Sequence, residues 1–109
     1  KTPIPTGYHI LVAIPKAEQR SAGGIIIPDN PRDREQTASI VGKVVAIGPD
    51  AYENPEKFPT GSWCKEGDWV LFRSYSGTRF TIGDQEYRMI NDDTVEGVAV
   101  DPDAIKRAA

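Results

Sequence analysis

Few residues in this 109-residue sequence could do covalent chemistry, and none has the company it would need. His9 is the single histidine; with no second ligand or acid in register beside it, it reads as structural. Cys64 is the single cysteine, with neither His nor acid next to it. A nucleophilic thiol needs an activating base, so Cys64 reads as a passive thiol. Zinc needs several Cys, His or carboxylate ligands in a cluster; no such cluster exists, and no metal is expected. Asp92-Asp93, between Asn91 and Thr94, reads as a turn and not as a working carboxylate pair. No glycine-rich phosphate loop is present. The sequence therefore predicts a protein that is not an enzyme and carries no cofactor. What remains is binding, and it centres on Ile25, Ile26 and Ile27, preceded by Gly23-Gly24 and closed by Pro28. Burying an isoleucine gains roughly 1.5–3 kcal/mol, while fixing a flexible residue costs about 1–2 kcal/mol. One such tripeptide binds weakly; several on one assembly bind together through effective concentration.

The elements around that tripeptide explain why it is read as a contact and not as a buried strand. From Tyr8 to Ile14 the chain alternates, Tyr8, Ile10, Val12 and Ile14 against His9, Leu11 and Ala13, a strand with both faces partly covered. Pro3 and Pro5 confine the residues before it to an extended edge. Between about 15 and 38 periodicity vanishes; the segment has no aromatic residue and is broken by Gly-Gly and prolines. A connection this long and polar in a small domain is functional or disordered. Ser39–Ile47 is a second strand, and residues 49–66 form an acidic, proline-containing excursion. Trp69–Arg73 is a third strand. Arg79–Ile82 and Glu86–Ile90 form a hairpin across Gly83-Asp84-Gln85, and Val95–Val100 closes the domain. Short strands, regular turns and no amphipathic helix of useful length indicate an all-β fold, a small barrel or sandwich.

Composition sets wide bounds. The length suits one domain over 1–109. A net charge of −3, with 39% hydrophobic and 27% charged residues, makes no demand for nucleic acid or an anionic membrane. Residues 1–48 are mildly basic and the rest acidic. Phe72, Arg73, Tyr75, Arg79 and Phe80 could stack single-stranded nucleic acid, but Glu66, Asp68, Asp84 and Glu86 surround them, and barrel core plus solvated rim is the expectation. One cysteine permits no intrachain disulfide, which suits a reducing cytoplasm. No run of residues is long enough to cross a membrane.

Five blocks in order resemble one known family. Ser21-Ala22-Gly23-Gly24-Ile25-Ile26-Ile27-Pro28 resembles the mobile-loop motif of the GroES co-chaperonins. Gly42-Lys43-Val44-Val45-Ala46-Ile47-Gly48-Pro49 and Glu66-Gly67-Asp68-Trp69-Val70-Leu71-Phe72 are similar to its next two blocks. Tyr75-Ser76-Gly77-Thr78 and Glu86-Tyr87 follow at the family's spacing. The resemblance covers about residues 3–100.

It implies a GroES-like β-barrel with a long mobile loop, here about 15–38, and a roof hairpin, here about 49–66. It implies a homo-heptamer that caps a GroEL-type chaperonin and encloses an unfolded client protein while the partner hydrolyses ATP. Gly23, Gly24, Ile25, Ile26 and Ile27 would dock on the partner, Tyr75 would face the cavity, and Pro3–Gly7 would pair with the next copy's Val98–Val100. Three departures stand out. Pro5-Thr6-Gly7-Tyr8-His9 replaces the family's Pro-Leu-x-Asp-Arg, the roof segment is long and carries Trp63 and Cys64, and a tail extends past Val100. Two other readings remain. One is a structural barrel, of a virion or scaffold, using the same loop on another partner. The other is a dehydrogenase barrel domain, which would need zinc ligands and a cofactor domain that this sequence lacks.

Overall fold

The computed structural model describes residues 2–14, 40–101 and 105, so the expected loop over 15–38 lies outside the described residues. Among the described residues six strands form one antiparallel sheet: β1 (His9–Ala13), β2 (Val41–Ile47), β3 (Trp69–Leu71), β4 (Thr78–Ile82), β5 (Gln85–Asn91) and β6 (Gly97–Val98), in the order β4-β5-β1-β2-β3-β6. A 3₁₀ turn, Asp92–Thr94, joins β5 to β6, so the Asp-Asp-Thr stretch is a turn as expected. The fold class is all-β.

The centre of the sheet is β1, whose Ile10, Leu11 and Val12 are wholly buried. Ile10 and Val12 enter the main core with Ile14, Val44, Val70, Phe72, Ile90 and Val95. Leu11 takes the other face, opposite Ala46 on β2 and Met89 on β5. Between Leu11↔Ala46 and Val12↔Val44 the register skips Val45. One extra residue in β2 is a bulge, which bends the strand and increases its twist.

That twist carries the sheet round into a barrel. On a flat sheet β5 and β3, three places apart, would be separated by roughly 14 Å. Instead Arg88 Nη1 on β5 donates to the carbonyl of Ser74, just past β3, at 2.9 Å. The Arg88 guanidinium also lies 5.1 Å from the centre of the Phe72 ring. Gly42 makes room for this closure. A Cβ there would meet Val12 Cβ at 3.2 Å and Phe72 Cε2 at 3.3 Å.

Two segments differ from expectation. The closing strand shortens to Gly97–Val98, although Glu96 N and Ala99 N still donate to the carbonyls of Leu71 and Trp69. In place of a roof hairpin, residues 49–66 form consecutive turns with no strand. Pro55 and Pro59 have no N–H to give a ladder. The segment instead folds onto the barrel as an aromatic cluster. Tyr52, Phe58 and Cys64 are buried, and Trp63 covers them at 4.9 Å from Phe58 and 5.7 Å from Tyr52.

Tyr52 holds this shoulder in place. Its φ of 61° is a left-handed conformation, costly for a bulky residue unless its surroundings impose it. Its N–H donates to Asp92 Oδ2 at 3.1 Å and its hydroxyl donates to the Asp92 carbonyl at 2.8 Å. Asp92→Ala leaves a buried N–H without its acceptor, so the expected loss is about 1–3 kcal/mol of stability. Asp93→Ala, which removes only the exposed pair with Lys57, should cost under about 1 kcal/mol. Urea denaturation of the two variants checks the difference; equal losses would remove the clamp.

Candidate partner-binding end of the barrel

The strand directions give the barrel two unlike ends. Ala13 lies opposite Lys43 in the β1–β2 ladder, so the chain leaves β1 and re-enters β2 at the same end. Both points are tied down. Ile14 N donates to the Glu86 carbonyl at 2.9 Å, and its carbonyl accepts from Gln85 Nε2 at 2.7 Å. Phe72 N donates to the Ile40 carbonyl at 2.9 Å. Residues 15–39 therefore connect two anchored positions at one end. Gly23, Gly24, Ile25, Ile26 and Ile27 belong to that connection and lie outside the described residues. The Tyr52 shoulder and the Asp92–Thr94 turn occupy the opposite end, where Asp50 N donates to Gly7 O and Asp92 N to Tyr8 O.

Beside Ile40 runs an open groove of about 730 Å³, floored by Leu71 and Phe72 and rimmed by Arg73 and Glu96. Tyr75 stands at its edge with 94% of its surface exposed. The turn that carries it is tight. Ser76 N and Ser76 Oγ both donate to the Arg73 carbonyl, at 3.2 and 2.6 Å. Gly77 leaves the turn at φ 76°, where a Cβ would strike Ile90 Cγ2 and the Met89 carbonyl. Arg88, wholly buried, reaches the same turn from β5. Burial lowers its pKa, with Arg79 acting in the same sense and Glu86 opposing. Arg88 was not singled out from the sequence, yet a signal existed: it shares strand parity with Ile90, which is in the core.

The remaining candidates are dispersed. Partly buried His9 packs its ring 4.8 Å from that of Tyr8. Cys64 is buried, and burial raises the thiol's pKa, with Asp68 adding to it and the contact to the Tyr52 hydroxyl at 3.5 Å working against it. A thiol held protonated is a poor nucleophile. Asp92 is occupied by Tyr52, and Asp93 by Lys57 Nζ at 2.6 Å. Among the described residues no three of His, Cys, Asp and Glu converge as a metal site, and no helix is long and apolar enough to cross a membrane. The aromatic and basic set is not one platform. Phe72 is buried, Phe80 stacks on Tyr87, Arg79 pairs with Glu86 at 2.8 Å, and Arg73 approaches Glu96 at 3.7 Å.

Residues 3–99 match the family described as the chaperonin 10 Kd subunit. A relative named co-chaperonin GroES 2, from Mesorhizobium japonicum, is 36% identical over 105 residues, covering 96% of each chain. The co-chaperonin GroES of Holospora obtusa is 37% identical over 93 residues, 85% of this chain and 92% of its own. That of Corynebacterium diphtheriae is 36% identical over 87 residues, 80% of this chain and 83% of its own.

Proposed function

The chain belongs to the chaperonin 10 Kd subunit family, and from that premise we propose that it is the cap of a GroEL-type chaperonin. The loop over about 15–38 docks Gly23, Gly24, Ile25, Ile26 and Ile27 on the large ring. The assembled cap closes over an unfolded client protein, with Tyr75 facing it. The family is not an enzyme family, and ATP hydrolysis falls to the partner. The observation that carries this reading is the polarity of the barrel. The anchored ends of residues 15–39 and the Tyr75 turn lie away from the shoulder built from residues 49–66. Both anchors of the segment that carries the apolar tripeptide thus lie at one end of the barrel. A virion or scaffold barrel using the same loop has no comparable support, since the family match spans residues 3–99.

Assembly is proposed as a homo-heptamer in the cytoplasm. Val98 faces Val70 across the β3–β6 ladder, hence toward the core, yet 41% of it is exposed, and Val100 is 99% exposed. Ile4, in the N-terminal extended segment, is 86% exposed. Pairing residues 3–7 of one copy with 98–100 of the next covers both and protects the free edge of β6. The test mixes the protein with a GroEL-type ring and ATP. Expected are co-sedimentation, a changed ATPase rate and a native mass of seven chains. A protein that stays monomeric at high concentration and ignores the ring overturns the proposal.

A further inference from the structure

We propose that Arg88 is the positioning residue for Tyr75: its buried guanidinium, delivered from β5, sets the turn over residues 73–76 on which the exposed ring stands. The starting point is the mismatch between Tyr75 and its support. A side chain that is 94% exposed has little packing of its own to fix it. The backbone beneath it is nonetheless held from several sides. The Arg73 carbonyl accepts from Ser76 N, from Ser76 Oγ and, at 3.4 Å, from Arg88 Nη1. The Ser74 carbonyl accepts from the same Nη1 at 2.9 Å. Two successive carbonyls of one turn thus converge on one cation from across the barrel.

A packing role alone does not account for arginine here. Arg88 is wholly buried on the core-facing side of β5, in line with Ile90. Burying a cation is costly, and well-packed apolar residues commonly replace buried ions without loss of stability. What an apolar residue cannot do is hold carbonyls. Arg88 holds two of them through its single Nη1, at 3.4 and 2.9 Å, while its guanidinium lies against the Phe72 ring at 5.1 Å. The arrangement fits a device that stiffens an irregular turn. Contact residues gain from such stiffening, because a preordered side chain loses less freedom when it meets its partner, and tyrosine is among the residue types that dominate contacts. What Tyr75 meets rests on the co-chaperonin reading: the apolar segments of an enclosed client chain.

Amide hydrogen exchange on the full-length protein tests the positioning without any partner. In Arg88→Leu the Ser76 amide should exchange about tenfold faster, the worth of roughly one net hydrogen bond. The Val44 amide, bonded to the distant Asp68 carbonyl at 2.8 Å, should not change. Should Arg88→Leu fail to fold, Arg88→Met keeps an unbranched stem, cannot donate to the carbonyls, and carries the same expectation. In client refolding, Arg88→Leu should still co-sediment with the chaperonin ring. Its yield should fall to that of Tyr75→Ala, with no further fall in the double variant. Unchanged Ser76 exchange, an equal rise at Val44, or additive losses with Tyr75→Ala would each overturn the proposal. If the parent protein itself does not bind the ring, the co-chaperonin reading falls, while the exchange result still decides the role of Arg88.

Discussion

Ile26→Asp should abolish capping while leaving the assembled protein intact. The substitution puts a carboxylate at the centre of an apolar tripeptide, between Ile25 and Ile27. In an extended segment successive side chains point opposite ways, so on the proposed docking Ile25 and Ile27 would enter the partner together with Ile26 between them. Gly23 and Gly24, with no Cβ, would permit a sharp turn into a groove on that docking. An unpaired charge brought into such a contact costs several kcal/mol or more, roughly the whole gain of one buried isoleucine and beyond. The loss repeats in each copy, and because avidity multiplies weak contacts, it also multiplies their removal. The fold should not notice. The core cluster from Ile10 to Val95 draws on segments to either side of residues 15–39, and the flanking Ile14 and Ile40 are bonded to Glu86, Gln85 and Phe72. Co-sedimentation with a GroEL-type ring and modulation of its ATPase should both vanish, with native mass unchanged. An intact assembly that still caps would remove Ile25–Ile27 as the contact.

What the sequence could reveal followed the range of the interactions involved. β1, β2, β3 and the β4–β5 hairpin were legible to within a residue or two, because alternation of apolar residues is local and is the cause of their burial. β6 came out shorter than Val95–Val100, since Val95 turns into the core before the ladder begins. The shoulder departs from the implied hairpin for a physical reason. A hairpin was carried over from the resemblance, whereas Pro55 and Pro59 deny it a ladder and Tyr52, Phe58 and Trp63 give it a small core of its own. The left-handed Tyr52 was not legible at all, because its clamp, Asp92, lies 40 residues away. Arg88 lay between these cases. Its parity with Ile90 points inside, its charge points to the surface, and the carbonyls of Arg73 and Ser74 with the Phe72 ring show how the inside position is met. Tyr87, the next residue back along β5, is only partly buried, on the face opposite Arg88, where it stacks on Phe80.

Phe72 is the residue on which the barrel's closure depends most, and Phe72→Ala should cause the largest loss of stability. Its side chain is 1% exposed and sits where the curled sheet meets itself, against Gly42 of β2 and under the Arg88 guanidinium of β5. Truncation removes a buried ring and leaves a cavity that neighbours cannot fill cheaply. Gly42, which lies against the ring, has no side chain to move into the space. Phe→Ala changes in cores cost about 3–5 kcal/mol, and a domain this size has only about 5–15 kcal/mol in all. Arg88 also loses its aromatic face, so a buried cation is left with poorer company and the turn over residues 73–76 loosens with it. At fixed chain concentration the melting temperature should fall by more than about 12 °C, taking 4–8 °C per kcal/mol for a domain of roughly 100 residues. Tyr75→Ala, three residues along but 94% exposed, should shift stability by no more than about 0.5 kcal/mol. Calorimetry on the two variants side by side decides the matter. A Phe72→Ala protein melting within a few degrees of its parent would mean that the barrel closes without the ring between β2 and β5.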